Sequence, residues 1–221
     1  MDVLYEDNHI IAINKKSSEI SQADKTGDKS ILDKTKNYLK RKYKKKGNVF
    51  LGLCHRLDRP VSGVIIFAKT SKCLTRLNNM LKNKEIKKTY LAIVKNRPVK
   101  EKQTLNNFIL KNSKKNKSYI YSTKVKNSKN AILHYQIIKK LKNYYLLEII
   151  LETGRSHQIR AQLSNINCPI KGDVKYGFRR PNKDKSINLH ARSILFTHPV
   201  SKKTIKIICP LPKEKIWIEC K

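Results

Sequence analysis

A single α+β domain, with a mainly antiparallel mixed sheet flanked by helices and loops, is the fold that the 221 residues predict. Three observations carry this expectation. The chain opens and closes on hairpin patterns, its middle interleaves short apolar runs with amphipathic helical stretches, and it shows neither an internal repeat nor a linker. At 39% hydrophobic residues it can bury a real core.

The opening, Val3 to Asn14, places the turn residues Asp7-Asn8 between two apolar runs and reads as a strand hairpin. From Ser30 to about Lys46, Ile31, Leu32, Tyr38 and Leu39 have helical spacing, and the segment ends in a lysine run before Gly47. The stretch Val64-Ile65-Ile66-Phe67-Ala68 is short, β-branched and continuously apolar, which predicts a central strand. Lys72 to Asn83 carries Leu74, Leu77 and Leu81 on one face of a helix, and Thr89 to Val94 returns as a strand. Lys100 to Lys142 mixes short apolar runs with Lys, Asn and Ser. Within it the tract Lys111 to Lys117 can bury nothing and reads as an exposed, mobile basic loop. Tyr144 to Glu152 is a strand, followed through Thr153-Gly154 by a helix from Ser156 to Ile166 with an apolar stripe of Ile159, Leu163 and Ile166. Ile194 to Phe196 and Thr204 to Cys209 close the chain as a second hairpin.

Charge narrows the function. Fifty Lys+Arg stand against 16 Asp+Glu, a net charge of +34. A coding bias toward lysine and asparagine accounts for part of this, but does not by itself remove acids, and their shortage leaves a field that attracts polyanions, nucleic acid above all. An ordinary small-molecule enzyme fits poorly. The five cysteines are odd in number and form no C-x-x-C pair, so neither a disulfide framework nor a zinc ribbon is indicated. The N-terminus lacks the basic and apolar regions of a signal peptide, and no apolar stretch approaches the ~20 residues of a membrane span. These features predict a cytoplasmic, reduced, soluble protein. The seven glycines nowhere give G-x-G-x-x-G, no G-K-[ST] occurs, and no H-E-x-x-H is present, so the expectation is no cofactor and no metal.

What stands out is His55-Arg56-Leu57-Asp58-Arg59-Pro60-Val61-Ser62-Gly63, immediately before the central strand. One reading is a plain turn in which Asp58 caps or pairs with Arg59. The other is a carboxylate held ionised by guanidinium groups, ready to act on an anionic substrate.

Together with other blocks, this motif resembles the RluA type of RNA pseudouridine synthases. The blocks are His55-Arg56-Leu57-Asp58 with Ser62-Gly63 and the stretch to Thr70, Lys88-Thr89-Tyr90-Leu91-Ala92, and Thr153 to Arg160. Gly172-Asp173 with Tyr176-Gly177, and Leu189-His190-Ala191 with His198-Pro199, complete them. They follow the family's order and spacing over nearly the whole chain. The resemblance implies that Asp58 is the catalytic carboxylate, Tyr90 the aromatic residue stacked on the target base, and Arg160 the basic residue pairing with Asp58. Arg56 matches the arginine that enters the RNA stack in place of the flipped uridine. Independently, Arg160 falls at the start of a helix entered straight from a strand, on the side away from the apolar stripe. Read alone, Tyr90 is better taken as a core tyrosine; only its place in the Lys-x-Tyr-x-Ala block reverses that.

The function implied is isomerisation of specific uridines to pseudouridine in large-subunit rRNA or tRNA, after base flipping and without a cofactor. A non-catalytic RNA-binding protein that has lost Asp58, Tyr90 or Arg160 is the main rival, and none of the three is lost. A zinc deaminase is the other, and its His/Cys ligand set is missing. Because the first strand begins near Val3, one catalytic domain over residues 1–221 is expected, with no separate N-terminal RNA-binding domain, acting as a monomer with no protein partner and no membrane.

Overall fold

The computed structural model of the chain describes residues 1–24 and 27–220. In order the elements are β1 (Val3–Glu6), β2 (Ile10–Lys15), α1 (Ile31–Lys42), β3 (Gly52–Leu53), β4 (Ser62–Ala68), α2 (Ser71–Lys82), β5 (Lys87–Val94), β6 (Lys102–Asn112), β7 (Lys117–Tyr121) and β8 (Lys129–Lys140). There follow β9 (Tyr145–Leu151), α3 (Gln158–Asn165), a 3-10 turn at Val174–Tyr176, β10 (Leu189–Thr197), β11 (Thr204–Ile208) and α4 (Lys215–Ile218). The class is α+β, and the hairpin and crossing ladders are antiparallel, as expected. The described residues form two compact units, Met1–Ile86 with Ala191–Pro210, and Lys87–His190 with Leu211–Lys221.

In the first unit the strand order is β1-β2-β4-β10, with β11 paired to β10 and β3 to β4. Val64 to Ala68 are completely buried, which explains the unbroken apolar run: a strand covered on both faces has no reason to alternate. At its start Gly63 has φ +123, and a Cβ there would meet the Ala191 carbonyl oxygen at 2.3 Å, so the close approach of β10 requires glycine. Helix α1 starts where the Ser30 hydroxyl accepts the Asp33 N–H, and it buries Ile31, Thr35 and Leu39 on one face. It stops about a turn earlier than expected because Lys44 takes a left-handed conformation, φ 48. Helix α2 is capped by Thr70 and buries Cys73 and Leu77; Leu74 packs over Gly52 rather than lying in the deepest part of the core.

In the second unit the order is β5-β9-β8-β6-β7. The long ladder of β6, β7 and β8 was not legible in its Lys/Asn/Ser-rich sequence. It also corrects the expectation for the tract Lys111 to Lys117, which is exposed as expected but forms the end of a paired hairpin instead of an irregular loop. Lys111 pairs with Ser118 and Asn112 with Lys117 in the β6–β7 ladder, and the turn between them is closed by Asn116 N–H to Ser113 O and by Lys115 N–H to the Asn112 side chain. Strand pairing requires only that backbone groups be satisfied, so an exposed hairpin needs no apolar pattern. Ile109, Ala131, Ala161 and Tyr176 form one cluster, with Ile120 against it, that seats α3 on the sheet. Leu91, Ile93, Leu141, Leu146 and Trp217 form another, through which α4 is docked.

Candidate active site

The turn that carries Asp58 is fixed by side chains of its own unit. The Ser21 hydroxyl accepts the Leu57 N–H at 3.1 Å and donates to the Leu57 carbonyl at 2.8 Å, and the Ser18 N–H reaches the Arg59 carbonyl at 2.9 Å. The Asp58 carbonyl accepts the Val61 N–H at 3.0 Å and closes the turn through Arg59-Pro60. Leu57 and Val61 are buried, Asp58 is half-buried and Arg56 is exposed, so apolar anchors point inward while the charged groups remain at the surface. Arg59 directs its guanidinium to Asp28 at 2.6 Å, an exposed pair of little energetic weight. His55 accepts the Ile66 N–H at its Nε2, which ties the start of the motif to β4 and leaves the ring proton on Nδ1.

Sequence reasoning missed Lys15. It is completely buried at the end of β2, and its ammonium donates to the carbonyls of Val61 (2.7 Å), Lys16 (3.0 Å) and Arg59 (3.3 Å). Two of the three belong to the Asp58 turn. Burial lowers its pKa to about 8, against the opposing fields of Glu19 and Asp58. One lysine among so many carries no sequence signal; only its buried position distinguishes it.

Tyr90 and Arg160 belong to the second unit. Tyr90 lies on β5 opposite Ile149 of β9 and is 7% exposed. That degree of burial suits a ring with one accessible edge as well as a core tyrosine. Arg160 differs from expectation. The expected one-sided helix is buried throughout Gln158 to Leu163, and Arg160 itself is only 6% exposed. A guanidinium at that depth requires a carboxylate. Asp173 supplies it bidentately, at 2.7 Å to Nε and 2.9 Å to Nη2, and the Tyr176 ring lies 5.0 Å from the guanidinium carbon. With the Nε–Nη2 edge engaged by Asp173, the plane of the fork is set and its other edge, bearing Nη1, has a fixed direction.

Tyr176 ties this arginine to its surroundings. Its hydroxyl accepts the Ser118 N–H of β7 at 2.8 Å and meets Nδ1 of His157 at 3.0 Å; burial raises its pKa. Ser118 in turn donates to the Ser156 carbonyl at 2.8 Å. The turn into α3 is strained at His157, φ 54, and is held by the Gln158 side chain, whose oxygen accepts the Arg155 N–H and the Thr153 hydroxyl proton. Arg155 is exposed, with its Nε on the Asn130 carbonyl. Asp173 and Tyr176 both lie in the Gly172-Asp173/Tyr176-Gly177 block, yet their spacing alone does not show that they face an arginine 13 or more residues earlier.

The sequence model of the RNA pseudouridylate synthase family matches residues 9–165, a span containing Arg56, Asp58, Tyr90 and Arg160. The chain belongs to this family. Its members are isomerases that convert uridine in RNA to pseudouridine. Ribosomal large subunit pseudouridine synthase C of Buchnera aphidicola subsp. Baizongia pistaciae is 37% identical over 216 residues, covering 95% of this chain and 66% of that protein. The protein of the same name from Rickettsia prowazekii is 37% identical over 218 residues, covering 95% and 68%. The chain therefore spans about two thirds of the length of these relatives. Among solved structures, human RNA pseudouridylate synthase domain containing 4 superimposes with a TM-score of 0.80 at 23% identity, over 99% of this chain and 90% of that one. Human RNA pseudouridylate synthase domain containing 1 gives 0.76 at 18% identity, over 98% and 85%. At such identities the likeness is one of fold.

Proposed function

We propose that this chain isomerises uridine to pseudouridine in large-subunit ribosomal RNA, with Asp58 as the catalytic carboxylate. The observation that carries this reading is the Asp58 turn, a surface carboxylate on a loop whose backbone is gripped by Ser18, Ser21 and the buried Lys15. Such rigidity is what a group needs if it must meet a sugar carbon or sugar proton at one distance and angle. Ribosomal RNA is preferred to tRNA because the relatives at 37% identity are named for the large ribosomal subunit.

In this reaction the N1–C1′ bond breaks, the base turns, a C5–C1′ bond forms, the C5 proton leaves and N1 ends protonated. Nothing is oxidised or imported, so no cofactor is called for. Asp58 either attacks C1′ or removes a sugar proton to give a glycal; both begin from the ionised carboxylate. Tyr90 stacks on the flipped base, Arg160 steadies the carboxylate, and Arg56 fills the vacated stack, the roles the family resemblance assigns them. The protein works as a cytoplasmic monomer.

Asp58→Asn tests the reading. The variant keeps its shape, so it should remain folded and bind RNA, while pseudouridine formation in a large-subunit rRNA transcript, read by chemical probing, falls below detection. Turnover by the purified Asn variant would remove Asp58 from catalysis; modification of tRNA alone would overturn the choice of RNA.

A further inference from the structure

A second concentration of uncompensated positive charge lies on α1 and the turn after it. Residues 36–46 hold seven basic side chains, and the sequence has no acidic residue between Asp33 and Asp58. Lys40, Arg41, Lys42, Lys44, Lys45 and Lys46 are all exposed. The same helix borders an open concavity of about 580 Å³, lined on its side by Lys34, Asn37, Tyr38, Arg41 and Lys42, residues on one helical face.

Beneath this surface one carboxylate gathers the side chains around itself. Glu6, whose side chain is 7% exposed, accepts from Lys42 at 2.7 Å, Lys69 at 3.0 Å, the Tyr43 hydroxyl at 2.7 Å and the Tyr38 hydroxyl at 3.2 Å. Lys42 is thereby held 5.5 Å from the centroids of both the Tyr38 and Tyr43 rings, and Lys69 is 4.8 Å from that of Tyr43. Burial would push the Glu6 carboxyl up, but the donors outweigh it and bring its pKa to about 2, so it stays ionised. Ordering four flexible side chains costs conformational entropy, and a merely solvated lysine face has no need of it.

We propose that α1 and the following turn form a docking surface for the phosphate backbone of RNA outside the uridine that reacts, preorganised by Glu6. Basic groups spaced along an exposed helix match a polyanion, and the concavity with its tyrosine wall admits the sugar and base edges between phosphates. The inference rests on the proposed RNA substrate and extends it to a second contact region on the first unit.

Fluorescence anisotropy with a large-subunit rRNA fragment, followed across salt, tests it in two ways. Substituting Lys40→Ser, Arg41→Ser, Lys44→Ser and Lys45→Ser together changes only exposed residues. Affinity should fall at least tenfold at moderate salt, and the slope of log K against log salt should shrink by roughly 1 to 3, since each lost phosphate contact removes about 0.7 to 0.9. Turnover at saturating RNA should be unchanged. Glu6→Gln separates an organised surface from a diffuse field. Removing a negative charge would tighten binding if only net charge mattered, whereas loosening of Lys42 and the tyrosines should weaken it. Unaltered affinity and slope in the quadruple variant, or tighter binding by a folded Glu6→Gln, would overturn the proposal. So would loss of binding to phosphatidylserine vesicles with RNA binding intact, which would assign the surface to a membrane. Should Glu6→Gln not fold, the quadruple variant decides alone. Wild-type turnover is measured alongside: RNA binding without pseudouridine formation would refute the proposed function and leave this surface standing, while normal turnover with affinity and slope unaltered in the quadruple variant does the reverse.

Discussion

Replacing Lys15 with methionine probes the support of the Asp58 turn. Methionine has nearly the volume of the lysine stem but no charge and no donor, so the carbonyls of Val61, Lys16 and Arg59 lose the ammonium that joins them. The pH dependence gives a distinctive signature. Burial lowers the folded-state pKa of Lys15 from 10.5 to about 8. Below about pH 8 the lysine is protonated in both folded and unfolded chains, and its contribution does not vary with pH. Between about 8 and 10.5 the unfolded chain holds a proton that the folded one has released, so stability from this group rises with pH until the unfolded lysine also titrates. The full shift of 10.5 − 8, about 2.5 units, corresponds to on the order of 3 kcal/mol. Urea unfolding of wild type and Lys15→Met from pH 7 to 10.5 isolates it, because other titrating groups cancel in the difference. The wild type should gain on the variant by up to that amount across the window. A difference that stays flat would show that the ammonium is not desolvated. At neutral pH the variant should also turn over more slowly at saturating RNA with little change in affinity, since the turn loses rigidity rather than a phosphate contact.

Tyr90→Phe should bind RNA normally yet lose most of the single-turnover rate if the hydroxyl moves a proton, and Tyr90→Leu should lose stacking as well, worth about 1 to 3 kcal/mol; wild-type rates in a Leu variant with a lowered melting temperature would make Tyr90 a core residue only. Asp173→Asn leaves Arg160 buried without its counter-charge and should cost roughly 3 to 5 kcal/mol in urea unfolding, together with a large loss of turnover. An Asn variant as stable as wild type would mean that another group serves Arg160 equally well. Neutralising Lys111, Lys114, Lys115 and Lys117 on the β6–β7 hairpin should flatten the salt dependence of RNA affinity without altering chemistry on bound RNA, whereas an unchanged slope would turn that hairpin away from the RNA.

Local pattern was a good guide wherever one segment decides its own structure. The first hairpin, the first two helices, the apolar strand before Thr70 and the strand-turn-helix around Thr153-Gly154 were all legible, because turn chemistry and apolar periodicity act within a few residues. The pattern failed where partners are distant. The β6–β8 ladder joins residues up to 34 positions apart, as in Lys102 with Gln136, and exposed strand faces need no apolar rhythm. Gly47 is the sequence's stop signal for α1, whereas the helix ends at Lys42 and Lys44 turns left-handed.

By itself the sequence determined the family, the α+β class, the polyanionic character of the partner and the four residues on which catalysis and base flipping are proposed to rest. All of these are written in residue types and their spacing. Only the tertiary structure decided what holds the candidate residues in place: Lys15 on carbonyls 44 and 46 residues away, Asp173 on Arg160, and the Tyr176 hydroxyl between Ser118 and His157. The reason is physical. A charge removed from water must find a partner nearby in space, and which group fills that position depends on how the chain returns, not on its neighbours along the sequence.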